Sequence, residues 1–232
     1  MALFTFWYGD DYTTPKKIDN LSIQKESDVA TLASLMMLEE QKIEQRFQGG
    51  NEAWVVRLGN KPVSFGWLSR GSARIGELSK EIDLPRGNVY LWNFRTLEPY
   101  RGRGYYGQLL STILGAEGKI NDRIWIISAP ENQSSFNGIV KVGFKPVGDI
   151  MFNYKNEVVL LASSVDERTQ AGADLIQAPI VTTAVRPCWK CASKAMKKEA
   201  ACDCYENHVP CCCNNQRPTT YTIGTQTTTH LA

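Results

Sequence analysis

The stretch Val89-Tyr90-Leu91-Trp92-Asn93-Phe94-Arg95-Thr96-Leu97-Glu98-Pro99-Tyr100-Arg101-Gly102-Arg103-Gly104-Tyr105-Tyr106-Gly107 sets an aromatic and β-branched strand just before a glycine-rich run. Beyond the run, Leu109, Leu110, Ile113 and Leu114 recur at helical spacing, with Gly115 or Gly118 as the stop. A strand that feeds a glycine-rich turn into a helix start makes an anion site. The first backbone N–H groups of the helix have no intrahelical partner, and the helix dipole adds positive potential. Gly102 and Gly104 let the backbone curl and approach a diphosphate without Cβ clashes, while Arg101 and Arg103 add charge.

Read literally, Gly102-x-Gly104-x-x-Gly107 also satisfies the dinucleotide fingerprint. In that fold the apolar strand runs nearly to the first glycine, whereas Glu98-Pro99-Tyr100-Arg101 intervenes here and Pro99 ends the strand early. Glu131, the acid to be sought on a later strand tip, follows Pro130 and does not fit one. The motif also begins late in the chain for an N-terminal nucleotide fold. The context therefore speaks against a dinucleotide and for another phosphate-bearing ligand.

Outward from this stretch, strand-like and helix-like segments alternate over the first 160 or so residues, which predicts a mixed α/β fold built in layers. Leu3 to Tyr8 starts as a strand. Ser27-Asp28 caps an amphipathic helix carrying Val29, Leu32, Ala33, Leu35, Met36 and Met37. Gly59-Asn60-Lys61 joins two short strands, from Ala53 to Leu58 and from Pro62 to Leu68, as a hairpin. Ile124 to Ile127 is apolar on both faces and reads as a central strand. A short helix from Gln133 stops at Gly143, and two strands follow, at Phe144 to Asn153 and Val158 to Leu161. The expected organisation is a domain over 1–164, a linker over 165–187, a cysteine-rich segment over 188–213 and a Thr-rich, disordered tail over 214–232.

The run from Leu97 to Leu110, with Arg101-Gly102-Arg103-Gly104 at its centre, resembles the Arg/Gln-x-x-Gly-x-Gly/Ala signature of the GNAT acyltransferases. Asn132-Gln133-Ser134-Ser135 and Lys141-Val142-Gly143-Phe144-Lys145 resemble that family's Asn-x-x-Ser and Gly-Phe elements, and they follow in the right order. The resemblance covers about residues 20 to 162 and implies an α+β mixed sheet, splayed between its fourth and fifth strands and flanked by helices. Acyl-CoA, with acetyl-CoA the simplest donor, would enter the splay. It implies that Arg95, Thr96 and Leu97 pair with the pantetheine arm, that Arg101, Gly102, Arg103, Gly104, Tyr105 and Tyr106 hold the pyrophosphate, and that Asn132 and Ser135 contact the cofactor from the other side. Many members carry a proton-donating Tyr four residues before Gly-Phe. Here that position is Ile139.

The implied reaction is direct transfer of an acyl group to a primary amine, which needs a base or a desolvating pocket, oxyanion stabilisation and an acid for the thiolate. The domain holds no cysteine to carry an acyl group. No carboxylate lies within Val89 to Leu97, so Glu98 is the candidate base, with Glu77 and Glu81 expected near the cleft, and Tyr106 is the candidate acid. Each has a structural alternative: Glu98 a solvated turn residue, Tyr105 and Tyr106 packing beneath the helix, Asn132 a helix cap, and the tryptophans core. Two rival functions are a catalytically weak acyl-CoA sensor, for which Ile139 argues, and a transferase using long-chain or carrier-bound acyl donors. The acceptor, small molecule or protein, is not encoded legibly.

Composition bounds the remainder. At 232 residues with 43% hydrophobic content the chain can bury a full core, and a net charge of +2 gives no global signal for nucleic acid. No apolar run approaches the roughly 20 residues of a membrane span, and MALFTFWYGDD lacks a basic leader region, so a cytoplasmic protein is expected. All seven cysteines fall between Cys188 and Cys213. Cys188, Cys191, Cys202 and Cys204 form a candidate tetrahedral zinc set, with His208 and Cys211-Cys212-Cys213 beside it; an unliganded thiol-rich tail and lipid or redox modification are the other readings.

Overall fold

Strands and helices follow the chain as β1 (Ala2–Trp7), β2 (Leu21–Glu26), α1 (Val29–Met36), α2 (Glu40–Gln48), β3 (Asn51–Leu58), β4 (Lys61–Arg70), β5 (Ser72–Ile75), β6 (Lys80–Asp83), β7 (Asn88–Thr96), α3 (Tyr105–Glu117), β8 (Arg123–Ser128), α4 (Gln133–Val142), β9 (Lys145–Phe152), β10 (Val158–Leu161), α5 (Glu167–Ile176) and β11 (Ile180–Val181). The structure, a computed structural model, describes residues 1–14, 17–129 and 131–183. Nine strands form one mixed, mainly antiparallel sheet in the order β11-β10-β9-β1-β8-β7-β4-β3-β2, and β5 and β6 form a separate ribbon. The pair at the centre, β7 with β8, is parallel.

Local chemistry explains most boundaries. Asp28 caps α1 by accepting the Thr31 N–H at 2.8 Å, and the helix ends where Met37 turns left-handed. Gly59, at φ +58°, turns β3 into β4 as the hairpin reading expects. Alternation then sends side chains to opposite faces of the sheet. Ile124 and Ile126 pack with Leu109, Leu110, Ile113 and Ile139 under α3 and α4, while Trp125 and Tyr90 face Leu175 and Ile176 on the other side. A third cluster closes α1 and α2 over β3 and β4 through Leu32, Leu35, Ile43, Phe65 and Trp67. Trp54, Trp67 and Trp125 are buried; Trp7 and Trp92 are half-buried.

Two features depart from the sequence reading. The stretch 165–187 is not a linker throughout: Asp166 caps α5, whose Ala171, Ala173, Leu175 and Ile176 are buried, and β11 extends the sheet beside β10. Small residues let this helix lie close to the sheet, and a Cβ at Gly172 would come within 2.5 Å of Val147. Helix α2 was not anticipated either, because it buries only Ile43 fully. Cys188, Cys191, Cys202 and Cys204, with the Thr-rich tail, lie outside the described residues. Among the described residues no helix is long and apolar enough to cross a membrane.

Burial within β9 pushes the Asp149 carboxyl up to about 6, against the opposing pull of the chain's amino group. The folded value exceeds the unfolded one of ~3.9, so the folded state binds this proton more tightly. The associated stability is present below about pH 4 and is lost as pH rises through about 6. Asp149→Asn should therefore raise the melting temperature at about pH 8 and leave it nearly unchanged at about pH 4, which thermal denaturation at the two pH values checks.

Candidate cofactor site at the strand divergence

β7 and β8 pair only from Asn88 opposite Arg123 to Leu91 opposite Ile126. Beyond Leu91, β7 continues against β4 alone while β8 continues against β1. A bulge marks the departure. Gly66 has no single partner between the Phe65–Arg95 and Trp67–Trp92 pairs, so it faces both Asn93, at φ +52°, and Phe94. The Phe94 ring fills the space over Gly66, where a Cβ would lie 2.2 Å from Cε1.

A cavity of 1060 Å³ occupies this opening. Its walls are Phe94, Arg95 and Thr96 of β7, the turn from Tyr100 to Gly104, the first turn of α3, and Asn132, Ser134, Ser135, Gly138, Lys141 and Val142 around α4. Thr13 and Thr14, from the segment after β1, close one side. That segment is tied down by the Thr13 N–H donating to Val142 O at 3.0 Å and by Ser111 Oγ donating to Thr13 O at 2.9 Å.

The glycine turn opens onto this cavity. Gly102 and Gly104 adopt φ of +75° and +80°, and a Cβ on either would meet nothing within 4 Å, so both open onto free space. Gly104 caps α3 without any side-chain bond, and the helix's first intrahelical bond is from Gln108 N–H to Gly104 O. The N–H groups of Tyr105, Tyr106 and Gly107 precede it and are available to a ligand. Arg95, Arg101, Arg103 and Lys141 line the cavity, and no described lining residue is a carboxylate. Arg103 and Lys61 gather at the rim, 5.6 and 5.5 Å from the Tyr100 ring centre.

The remaining expected residues divide by direction. Leu97 N–H donates to Val63 O at 2.9 Å, and Ser64 Oγ donates to Arg95 O at 3.1 Å. Successive peptide groups of a strand alternate sides, so those of Arg95 and Leu97 belong to β4 and Thr96 alone of the three turns its N–H and C=O toward the opening. Arg101 Nε donates to that Thr96 carbonyl at 3.2 Å. The Leu97 side chain packs into the α1–α2 cluster. Tyr105 is buried in the core, leaving its backbone for a ligand. Asn132 is the cap of α4, accepting the Ser135 N–H at 3.1 Å and the Ser134 hydroxyl at 3.0 Å, with its side chain on the cavity wall.

Tyr106 reaches across to α4, where its hydroxyl meets Ser135 Oγ at 3.0 Å. Burial raises its pKa well above the usual phenol value despite that bond, so it stays protonated. Its ring fits against Gly138, whose absent Cβ would lie 2.8 Å away, and meets Phe94 edge-on at 5.7 Å. Ile139, by contrast, is fully buried in the core. Glu98 is not brought to the site: it lies exposed in a short 3-10 turn off the cavity. Glu77 and Glu81 are likewise elsewhere, in the 3-10 turn before β6 and on β6, beside α5. The sequence reading missed Phe94, Gly138, Thr13, Thr14, Gln108 and Lys141 as wall residues. Among the described residues no group of three or more His, Cys, Asp or Glu side chains is arranged to hold a metal.

No protein-family model and no curated protein matches the sequence. Solved structures do. A GCN5-related N-acetyltransferase from Kribbella flavida is 13% identical, with 62% of this chain and 53% of that chain covered and a TM-score of 0.40. AAC(6')-Iy, solved with the bisubstrate analogue CoA-S-monomethyl-acetylneamine, is 14% identical over 57% of this chain and 95% of its own, with a TM-score of 0.45. An IAA acetyltransferase from Bacillus cereus is 18% identical over 58% and 82%, with a TM-score of 0.44. The match spans little more than half of the Kribbella chain. Each of these three solved structures is named as an acetyltransferase or solved with a CoA conjugate. The sheet of this chain opens beyond a parallel pair, beside a helix that starts at a glycine-rich turn.

Proposed function

We propose that the chain is an N-acyltransferase of the GNAT type, moving an acetyl or other acyl group from acyl-CoA to a primary amine by direct transfer. One observation carries this reading: a single cavity joins a strand edge released from pairing, at Thr96, to a turn that opens at Gly102 and Gly104 before the first N–H groups of α3. A pyrophosphate fits the turn and an extended amide-bearing arm fits the strand edge. The thioester then supplies an electrophilic carbonyl near the bulge at Asn93 and Phe94.

The chain's own groups divide the work. The N–H groups opening α3, with Arg101 and Arg103, hold the diphosphate, and Thr96 sets the depth of the arm. Tyr106 keeps its proton and presents it toward the opening, where it donates to the departing thiolate; Ser135 orients that hydroxyl. With Glu98 outside the cavity and no carboxylate among its described wall residues, the acceptor amine loses its proton to water or arrives neutral.

Tyr106→Phe should lower the turnover number by about 100-fold, the scale of a lost general acid, while acetyl-CoA affinity stays within about two-fold. Steady-state thiol release and calorimetric titration measure the two. Ile139 favours one rival, a cofactor-binding protein with weak catalysis. Thiol release from acetyl-CoA against a panel of amines separates them: accelerated release with at least one amine supports the transferase, and tight binding without release under any acceptor overturns it.

A further inference from the structure

On the opposite face of the sheet from α3 and α4, Arg46 of α2 lies over two indoles, its guanidinium carbon 4.9 Å from the Trp67 ring centre and 4.8 Å from that of Trp92. Among the described residues it takes part in no ion pair, and the one acceptor it meets is the Met36 sulfur, 3.6 Å from Nη1. Trp67 Nε1 donates to the same sulfur at 3.4 Å. Trp92 Nε1 is buried with no hydrogen-bond partner among the described residues. A soft thioether thus receives both the guanidinium and one indole N–H, with no oxygen acceptor for either among the described residues. Burial holds the guanidinium below its ordinary value with nothing opposing it. A half-buried cation without an anion is costly, and the natural complement of its planar fork is a carboxylate.

The position gives this imbalance a use. Trp92 is the first residue of β7 past its last pair with β8, and it precedes the bulge at Asn93. Phe94, two residues on, lines the cavity. A donor entering from the α3 side along Thr96 brings its carbonyl to this bulge, so an amine attacking from the other face passes Trp92 and Arg46.

We infer that Arg46 anchors a carboxylate on the acyl acceptor, which makes the acceptor class a small amine bearing an acid group, such as an amino acid, and not a polycationic amine. The inference rests on the transferase reading above. Indole faces beneath the guanidinium hold it flat and leave its outer N–H edge for the ligand.

The full-length protein, saturated with acetyl-CoA, is to be assayed for thiol release with free amino acids and with their carboxamides. Amide amines are less basic and more often neutral, so without an anion site the amides react faster. The wild type should prefer the acids by at least about 10-fold in kcat/KM, and Arg46→Gln should erase or reverse the preference while Arg46→Lys retains part of it. Equal or better use of the amides by the wild type, or an unchanged preference in both variants, overturns the inference. If no amine elicits thiol release, the transferase reading is what fails. The site is then tested by tryptophan emission, titrating coenzyme A-saturated protein with N-acetyl amino acids and with their amides. A response to the acids alone that Arg46→Lys weakens supports the site, and matching responses or none overturn it.

Discussion

Gly104→Val should weaken acetyl-CoA binding by at least about 100-fold, equivalent to roughly 2.7 kcal/mol. Gly104 stands at φ +80°, where a β-branched residue is strained by about 1–3 kcal/mol. The larger loss is at the ligand. The space where its Cβ would stand is open, and on the proposed reading it is where the diphosphate approaches the N–H groups of Tyr105, Tyr106 and Gly107. An isopropyl group there blocks the approach while leaving the core untouched, so the circular dichroism spectrum should be retained. Gly107 provides the contrast. It lies inside α3, and a Cβ there would meet Val142 Cγ1 at 3.9 Å, an ordinary contact. Gly107→Ala should keep affinity within about two-fold, whereas a dinucleotide fold needs its third glycine for close helix packing. Calorimetric titration of both variants checks the pair.

Gly66→Ala should act from the other side of the opening. The new Cβ would stand 2.2, 2.4 and 2.6 Å from three carbons of the Phe94 ring, distances no packing tolerates. The ring meets Tyr106 edge-on at 5.7 Å and lines the cavity, so a displaced ring disturbs the cavity wall. Overpacking of this kind costs about 1–3 kcal/mol, and chemical denaturation should show it. Cofactor affinity should fall as well, by roughly 10-fold, because the cavity wall is disturbed. Adding Phe94→Leu should recover part of both losses, a non-additivity expected of residues in direct contact.

Local signals made much of this legible in the sequence. The unbroken apolar run Ile124–Ile127, the Asp28 cap, the Gly59 hairpin and the glycine run before α3 each depend on neighbours close in sequence, and each is found where expected. What eluded the reading depends on contacts far apart in the chain. Nothing in Ala2–Trp7 announces that this strand inserts between β8 and β9, because a strand pattern does not name its partners. The Ala-Gly-Ala stretch of α5 carries too little apolar bulk to advertise a buried helix, although Asp166 was a readable cap. Tyr105 and Tyr106 are adjacent, yet one turns into the core and the other toward α4, where Gly138, 32 residues beyond Tyr106, leaves room for its ring. Glu98 looked suited as a base by chain position, but the turn that carries it points to solvent. Gly66 and Gly138 show how the site is shaped: each is a notch that receives an aromatic ring from another element, and no local pattern reveals a notch.

The most direct test of the account is a calorimetric titration of the full-length protein with acetyl-CoA, repeated with Gly104→Val and with NADH as a competitor. One acetyl-CoA should bind per chain, NADH should not displace it, and the binding heat should be lost in the variant. Absence of acetyl-CoA binding to the wild type, or binding that Gly104→Val leaves intact, would contradict it.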